Sequence, residues 1–256
     1  MRTTRYREQR RQAILDYLAR RGEVRNEDLA HHLGVTGATV RKDLTALMAD
    51  NKLIRTFGGA ILPDEYKAAP LRFRVRRHSQ SKRRIADAAA GLIGPNDTVA
   101  LDASSSCLAL ASRLKRVESL TIVTNGLSIA REFSGNPAVK VLLAGGMVDH
   151  DSAACVGPET VTFFRSVRTS TAFVGAGGIR MDLGLGEDDP LEYEVKKAMV
   201  ESADKTVALI DSSKWKSPAV RFFIPMADLH AVITDENADR GQLDRLRDSG
   251  IHIISV

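Results

Sequence analysis

The stretch Val35-Thr36-Gly37-Ala38-Thr39-Val40-Arg41-Lys42-Asp43-Leu44 decides how the N-terminal part of the chain is read. Thr36 offers a hydroxyl suited to capping a helix. Beyond it Val40, Leu44, Leu47 and Met48 fall at i, i+4, i+7 and i+8, an apolar stripe, and Thr39, Arg41, Lys42 and Thr45 take the opposite face. Working backwards, Gly34 ends a short helix predicted over Glu27–Leu33, with Asn26 as its cap and Leu29, Ala30 and Leu33 on one face. A first helix over Arg7–Arg20 carries Ile14, Leu15 and Leu18 and stops at Gly22. Working forwards, Leu53–Ile61 alternates apolar and polar residues around Gly58-Gly59, which predicts a small β-hairpin.

Helix, tight turn and capped helix over Val24–Leu44 is the helix–turn–helix arrangement, in which the second helix enters the major groove by its N-terminal end. Thr36, Thr39, Arg41, Lys42 and Thr45 are the candidate DNA-contacting residues there, and Arg55 and Thr56 on the hairpin would form a wing against the adjacent backbone. Arginine forks onto guanine, whereas lysine and threonine serve bases or phosphates. Pattern alone also admits a three-helix dimerisation bundle.

Charge is distributed unevenly along the chain. Residues 1–60 carry 12 Lys/Arg against 7 Asp/Glu, and residues 61–84 carry 8 against 2. The remainder carries 17 against 23, so a basic front is joined to an acidic body and only the front suits a polyanion. With 256 residues and about 150 per domain, one to two domains are expected. Apolar residues at 43% and charged ones at 27% are ordinary for a folded chain. No apolar run approaches the roughly 18 residues of a membrane span, and the basic Met1–Gln12 is followed by no secretory apolar stretch. Cys107 and Cys155 exclude a disulfide scaffold and any CxxC site, so the cytoplasm is the expected compartment.

After a linker-like Pro63–Pro70 and a strongly basic Leu71–Ser81, Ser81 is expected to start a helix over Lys82–Ile93. Apolar runs then recur at Thr98–Leu101, Leu120–Thr124, Lys140–Leu143, Thr171–Gly175, Thr206–Ile210, Ala231–Thr234 and Ile251–Val256. Strands alternating with helical or loop-rich stretches predict an α/β domain with a mainly parallel sheet covered on both faces. The expected division is 1–61 for the winged head, 62–81 for a basic linker and 82–256 for the α/β domain.

Val35–Leu44 followed by Phe57-Gly58-Gly59-Ala60 resembles the DeoR family of bacterial transcription regulators, with Thr36 for its usual Ser and Lys42 for its second Arg. Lys82-Arg83-Arg84-Ile85-Ala86, Leu101–Ser106, Thr124-Asn125-Gly126, Ala144-Gly145-Gly146 and Asp211-Ser212-Ser213-Lys214 resemble further family blocks in order, so the resemblance covers nearly the whole chain. It implies an effector domain similar in fold to sugar-phosphate isomerases, a response to a phosphorylated sugar or related metabolite, and repression of a catabolic operon. Double-stranded operator DNA is the implied macromolecular partner. No membrane partner, cofactor, metal or catalytic role is expected.

The residues agree with that implication. Each polar block ends an apolar strand, where open parallel sheets collect ligands. Ser104, Ser105 and Ser106 open a helix and would cradle phosphate. Lys214 supplies a point charge, Asp102, Thr124 and Asn125 hydrogen-bonding groups, and Gly175 and Gly177 a close backbone approach. Ser-rich strand ends also serve as plain helix caps, and Gly pairs as plain turns.

Departures from the family pattern lie at Ser104-Ser105-Ser106, where Gly-Ser-Thr is usual, at Gly186 and at Tyr193. Asp188 and Asp189 are read as a solvated loop, and Glu187 stays open between solvent and ligand hydroxyls. His31-His32 point about 100° apart and do not suit joint metal binding. His150 is read as part of a turn. Cys107 at a helix start is either a thiol of lowered pKa or a buried small residue, and Trp215 either stacks on a ligand or packs. A sugar-phosphate isomerase with a fused DNA-binding head is the alternative, with Asp102, Glu187 and Asp211 as its acid–base candidates. A small head implies a homodimer or homotetramer.

Overall fold

The computed structural model describes residues 2–21, 23–50, 52–61, 71–117, 119–217 and 219–256. They divide into two units, Met1–Arg77 and His78–Val256. The first contains α1 (Arg2–Arg21), β1 (Glu23–Arg25), α2 (Asn26–Leu33), α3 (Gly37–Ala49), β2 (Ile54–Thr56), β3 (Gly59–Ile61) and α4 (Leu71–Arg76).

The helical spacing read from the sequence buries Ile14, Leu15, Leu18, Leu29, Val40, Leu44 and Leu47 in one core with Val24, Leu53 and Ala60. Met48 is exposed, against expectation. Eight residues at 100° each bring it 80° round from Val40, to the rim of the stripe, whereas Leu47 lies within 20° of it. The hairpin is part of a three-stranded antiparallel sheet in the order β1-β3-β2. Its unforeseen third strand explains a second correction. Arg25 pairs with Gly59 and itself occupies the cap position of α2, so Asn26 is the first helical residue and not the cap. Gly59 is required: a Cβ there would stand 1.9 Å from the Val24 carbonyl oxygen.

The expected stop at Gly22 and the Pro63–Pro70 linker lie outside the described residues. Within the remainder of 62–81, residues 71–76 are helical, and the next helix begins at Ser79, not after Ser81. His78, in the left-handed region at φ 51°, occupies the cap position of that helix.

The second unit runs α5 (Ser79–Ala90), β4 (Thr98–Leu101), α6 (Ser105–Arg113), β5 (Leu120–Thr124), α7 (Leu127–Glu132), β6 (Val139–Leu143), β7 (Met147–Asp149) and β8 (Ala154–Val156). It continues with α8 (Pro158–Arg165), β9 (Thr169–Val174), β10 (Gly178–Arg180), β11 (Gly184–Glu187) and α9 (Pro190–Glu201). Last come β12 (Ala203–Ile210), β13 (Arg221–Ile224), β14 (Ala231–Thr234), α10 (Arg240–Asp248) and β15 (His252–Ser255).

Among the described residues the main sheet has seven strands in the order β15-β14-β12-β9-β4-β5-β6, and every pairing is parallel. Pleating sends alternate residues to opposite faces. Val99, Leu101, Phe173, Val207 and Leu209 join α5 and α6 on one face, and Ala100, Ala172, Val174, Ala208 and Ile210 join α8, α9 and α10 on the other. The chain starts at β4, moves outward through β5 and β6, then returns to the other side of β4 at β9. That reversal lies at the carboxyl ends of β4 and β9, the position at which doubly wound sheets bind ligands. A small antiparallel sheet, β10-β11-β13, and the β7-β8 hairpin complete the unit.

Candidate functional site

In the first unit, Gly34 ends α2 in the left-handed conformation and donates its N–H to Ala30 and His31 carbonyls. The Thr36 hydroxyl accepts the Thr39 N–H and caps α3. Arg41, Lys42 and Thr45 are exposed on the outer face and Thr39 is half-buried. The Arg41 carbonyl oxygen accepts two bonds, from Thr45 Oγ1 at 2.8 Å and from Arg55 Nη1 at 3.3 Å. The second ties the wing to the recognition helix. Thr56 is exposed beside it.

Asp43, inside the same motif, is 2% exposed and faces inward. It accepts from Arg10 Nε at 2.6 Å and Arg11 Nε at 3.4 Å, so two cations of the basic N-terminal helix serve the fold. The sequence reading missed this. The available signal was a carboxylate between Lys42 and Leu44 on the buried side of the helix.

In the second unit the polar groups at the strand ends are organised around Asp102, 1% exposed at the end of β4. Its oxygens accept the Ser104 N–H at 3.0 Å and the Gly175 N–H at 2.9 Å. Lys196 of α9, 5% exposed, stands 3.0 Å from Asp102 Oδ2 and 2.9 Å from Glu187 Oε2, and also donates to the Gly175 carbonyl. Burial alone would raise the Asp102 pKa, but the Lys196 charge and its hydrogen bonds hold the carboxyl below the usual range. Burial alone would lower the Lys196 pKa, and the Asp102, Glu187 and Glu192 charges instead raise it. Asp102, expected to meet ligand hydroxyls, is thus already engaged by protein groups.

The serine trio is buried. Ser104 is the cap of α6, its hydroxyl accepting the Cys107 N–H at 3.2 Å. A Cβ on Gly175 would stand 2.6 Å from the Ser104 Cβ, so the glycine makes room for the serine. Gly177 approaches Glu187 and Gly186 in the same way. The Thr124 hydroxyl is held between the Leu101 carbonyl and the Gly126 N–H. Asn125 is 4% exposed and donates Nδ2 to the Cys155 carbonyl, while its Oδ1 is buried without a partner. An acceptor in that state is a place for a donor from outside the chain.

A second charged pair lies at the end of β12. Lys82 Nζ is 3.9 Å from Asp211 Oδ2, and both residues are buried. Against the upward pull of burial, Lys82, a Ser213 hydrogen bond, Lys214 and His78 hold the Asp211 carboxyl low. Lys214 lies in the short 3₁₀ turn Ser212–Lys216 that Asp211 caps. Sequence reading singled out Lys214 and missed Lys82 and Lys196.

One reading is corrected and two open ones are decided. Asp189 caps α9 by accepting from Leu191 and Glu192, and Asp188 accepts the Val220 N–H, so neither belongs to a merely solvated loop. Burial and Asp102 push the Cys107 thiol well up, and its Sγ–H donates to the Phe173 carbonyl, so it is the buried small residue. Trp215 packs in the core and donates to Thr234 Oγ1. Among the described residues, no group of three or more His, Cys, Asp or Glu is placed to hold a metal ion, and no helix is long and apolar enough to cross a membrane.

Residues 10–66 match the DeoR-like helix-turn-helix domain, and residues 77–236 match the DeoR C terminal sensor domain. The HTH-type transcriptional regulator GolR of Listeria innocua serovar 6a is 30% identical over 246 residues, covering 96% of this chain and 97% of that protein. The HTH-type transcriptional repressor GlcR of Bacillus subtilis is 30% identical over 250 residues, covering 97% and 96%. The glycerol-3-phosphate regulon repressor of Escherichia coli K12 is 30% identical over 227 residues, covering 89% and 90%. Ribose 5-phosphate isomerase A from Neisseria gonorrhoeae overlaps 53% of each chain at 14% identity with a TM-score of 0.39, a likeness too weak to bear on function.

Proposed function

This chain belongs to the DeoR family of transcription regulators, and we propose from that premise that it represses a carbohydrate-catabolism operon under the control of a phosphorylated sugar or related metabolite. Thr36, Thr39, Arg41, Lys42, Thr45, Arg55 and Thr56 meet operator DNA, with Arg41 reading a base and Lys42 serving phosphate. The effector binds beside Asp102, Ser104–Ser106, Thr124 and Asn125, with Gly175, Gly177 and Lys214 around it. The observation that carries this reading is the unpartnered, buried Asn125 Oδ1 at the carboxyl end of β5, the strand beside β4. The name of the Escherichia coli relative points to glycerol-3-phosphate, which supports a phosphorylated effector for this chain as well.

Two heads are needed for tight binding, so the working unit is a homodimer or homotetramer acting in the cytoplasm. Effector occupancy changes the spacing of paired heads, which then no longer match successive major grooves about 34 Å apart. The test is fluorescence anisotropy of the full chain on a duplex selected from a random pool, with triose, pentose and hexose phosphates and their unphosphorylated counterparts. At least one phosphorylated compound shifts the affinity where its parent sugar does not. Indifference to the whole panel refutes the effector reading and leaves the DNA reading standing.

A further inference from the structure

Phe57 is the most exposed large apolar side chain among the described residues, at 110% of its reference area. It forms the tip of the wing. Thr56 pairs with Gly59, so Phe57 and Gly58 alone make the β2–β3 turn, and Gly58 takes φ 88° there. The turn cannot drift. Gly59 is fixed against the Val24 carbonyl, Ala60 is in the core, and Arg55 holds the recognition helix through the Arg41 carbonyl.

A phenylalanine left in water forgoes the gain of burial, and nothing in the head's core uses it. The head that carries it is cationic: Arg41, Lys42 and Lys52 are exposed, and Arg55, two residues before it, is half-exposed. An apolar tip on a cationic head does not suit an apolar protein face. It suits a polyanion with an apolar interior reachable from a groove, namely a stacked duplex. With α3 in a major groove, a wing on its flank lies over the neighbouring minor groove, where proteins insert apolar wedges between base steps.

We propose that Phe57 is such a wedge, entering the minor groove beside the half-site and partly unstacking one base step. Specificity then extends beyond the base pairs read by α3, to a flanking step that opens at low cost, such as a pyrimidine–purine step. This inference rests on the DNA-binding reading above, and its failure is distinguishable from the failure of that reading.

The test uses the full chain and a duplex that the wild type selects from a random pool, with 2-aminopurine placed in turn at each flanking position. Wild-type binding raises the fluorescence at one step. Phe57→Ala abolishes that rise and weakens binding about 5- to 30-fold, as loss of an aromatic–base contact does, without changing the slope of log K against log salt, because no phosphate contact is lost. Phe57→Leu keeps most of both signals. Quenched 2-aminopurine at every position with wild type, or a Phe57→Ala variant that binds as tightly or still raises the fluorescence, overturns the wedge while DNA binding stands. A wild-type chain that selects no duplex overturns both.

Discussion

Lys196 Nζ lies 3.0 Å from Asp102 Oδ2, a buried ion pair that ties α9 to the end of β4, the strand at which the sheet reverses. Lys196→Met leaves Asp102 and Glu187 without their counter-ion and is expected to cost about 3–5 kcal/mol at pH 7. The sign with pH follows from the direction of each shift. The Asp102 pKa is lowered, so its contribution is present above its unfolded value, about 3.9, and is lost as pH falls through the folded value. The Lys196 pKa is raised, so its contribution is present below about 10.4 and is lost only as pH rises through the still higher folded value. In the variant, burial without the ammonium raises the Asp102 pKa, and protonation relieves it. Urea denaturation should therefore show the gap to wild type narrowing between about pH 7 and pH 4.5. A constant gap would mean that packing, not charge, carries the effect.

Gly175 and Ser104 should be energetically coupled. Gly175→Ala drives a Cβ to 2.6 Å from the Ser104 Cβ, and overpacking of this kind costs about 1–3 kcal/mol. Ser104→Gly alone loses a capping hydroxyl, a matter of a few tenths of a kcal/mol when glycine replaces it. The double variant should recover more than half of the Gly175→Ala loss. Additive losses in denaturant titrations would show that the backbone yields instead.

Arg41 and Thr45 should differ in what they lose. The Arg41 side chain is exposed, and Arg41→Ala is expected to cost about 1–3 kcal/mol on the selected duplex and less on random DNA. The Thr45 hydroxyl proton is committed to the Arg41 carbonyl, so toward DNA it offers only lone pairs. Thr45→Val should therefore weaken binding by less than tenfold. An Arg41→Ala loss equal on both DNAs would reassign Arg41 to phosphate.

What was legible in the sequence is what local chemistry determines. Thr36 caps α3 and Val40, Leu44 and Leu47 bury one stripe because capping and a 3.6-residue period act within a few residues. The seven apolar runs pair as a parallel sheet because buried strands have no polar face to alternate. The three-residue β1 was not legible: it exists through its pairing with β3, and that partnership displaced Asn26 from its expected cap. Lys196 and Lys82 were missed because a buried lysine has the same letter as a surface one. Between Val195 and Ala198-Met199, Lys196 does stand on the apolar side of its helix, and that misplaced charge was the available sign. Asp188 was read as solvated because its partner, the Val220 N–H, lies 32 positions away.

Asn125 gives the sharpest test of the effector site. Its Nδ2 holds the Cys155 carbonyl, a bond that keeps the β8 strand against the end of β5, while Oδ1 stays unpartnered and buried. Leaving an acceptor so costs about 1–3 kcal/mol unless a ligand donor completes it. Asn125→Asp keeps the size and an oxygen at Oδ1 but replaces the Nδ2 donor and adds a negative charge beside the proposed phosphate. Asn125→Ala removes both groups. If a sugar phosphate is the effector, both variants should still bind the selected duplex within about threefold of wild type, since the head is untouched, taking that as a difference below 1 kcal/mol. Both should lose at least tenfold in their response to the phosphorylated compound, and Asn125→Asp should lose more, because like charges repel in a site of low dielectric. The measurement is a pair of titrations, DNA at saturating and at zero metabolite, repeated with a thermal-shift readout that reports binding in the absence of DNA. An undiminished response in Asn125→Asp would place the metabolite away from the carboxyl end of β5.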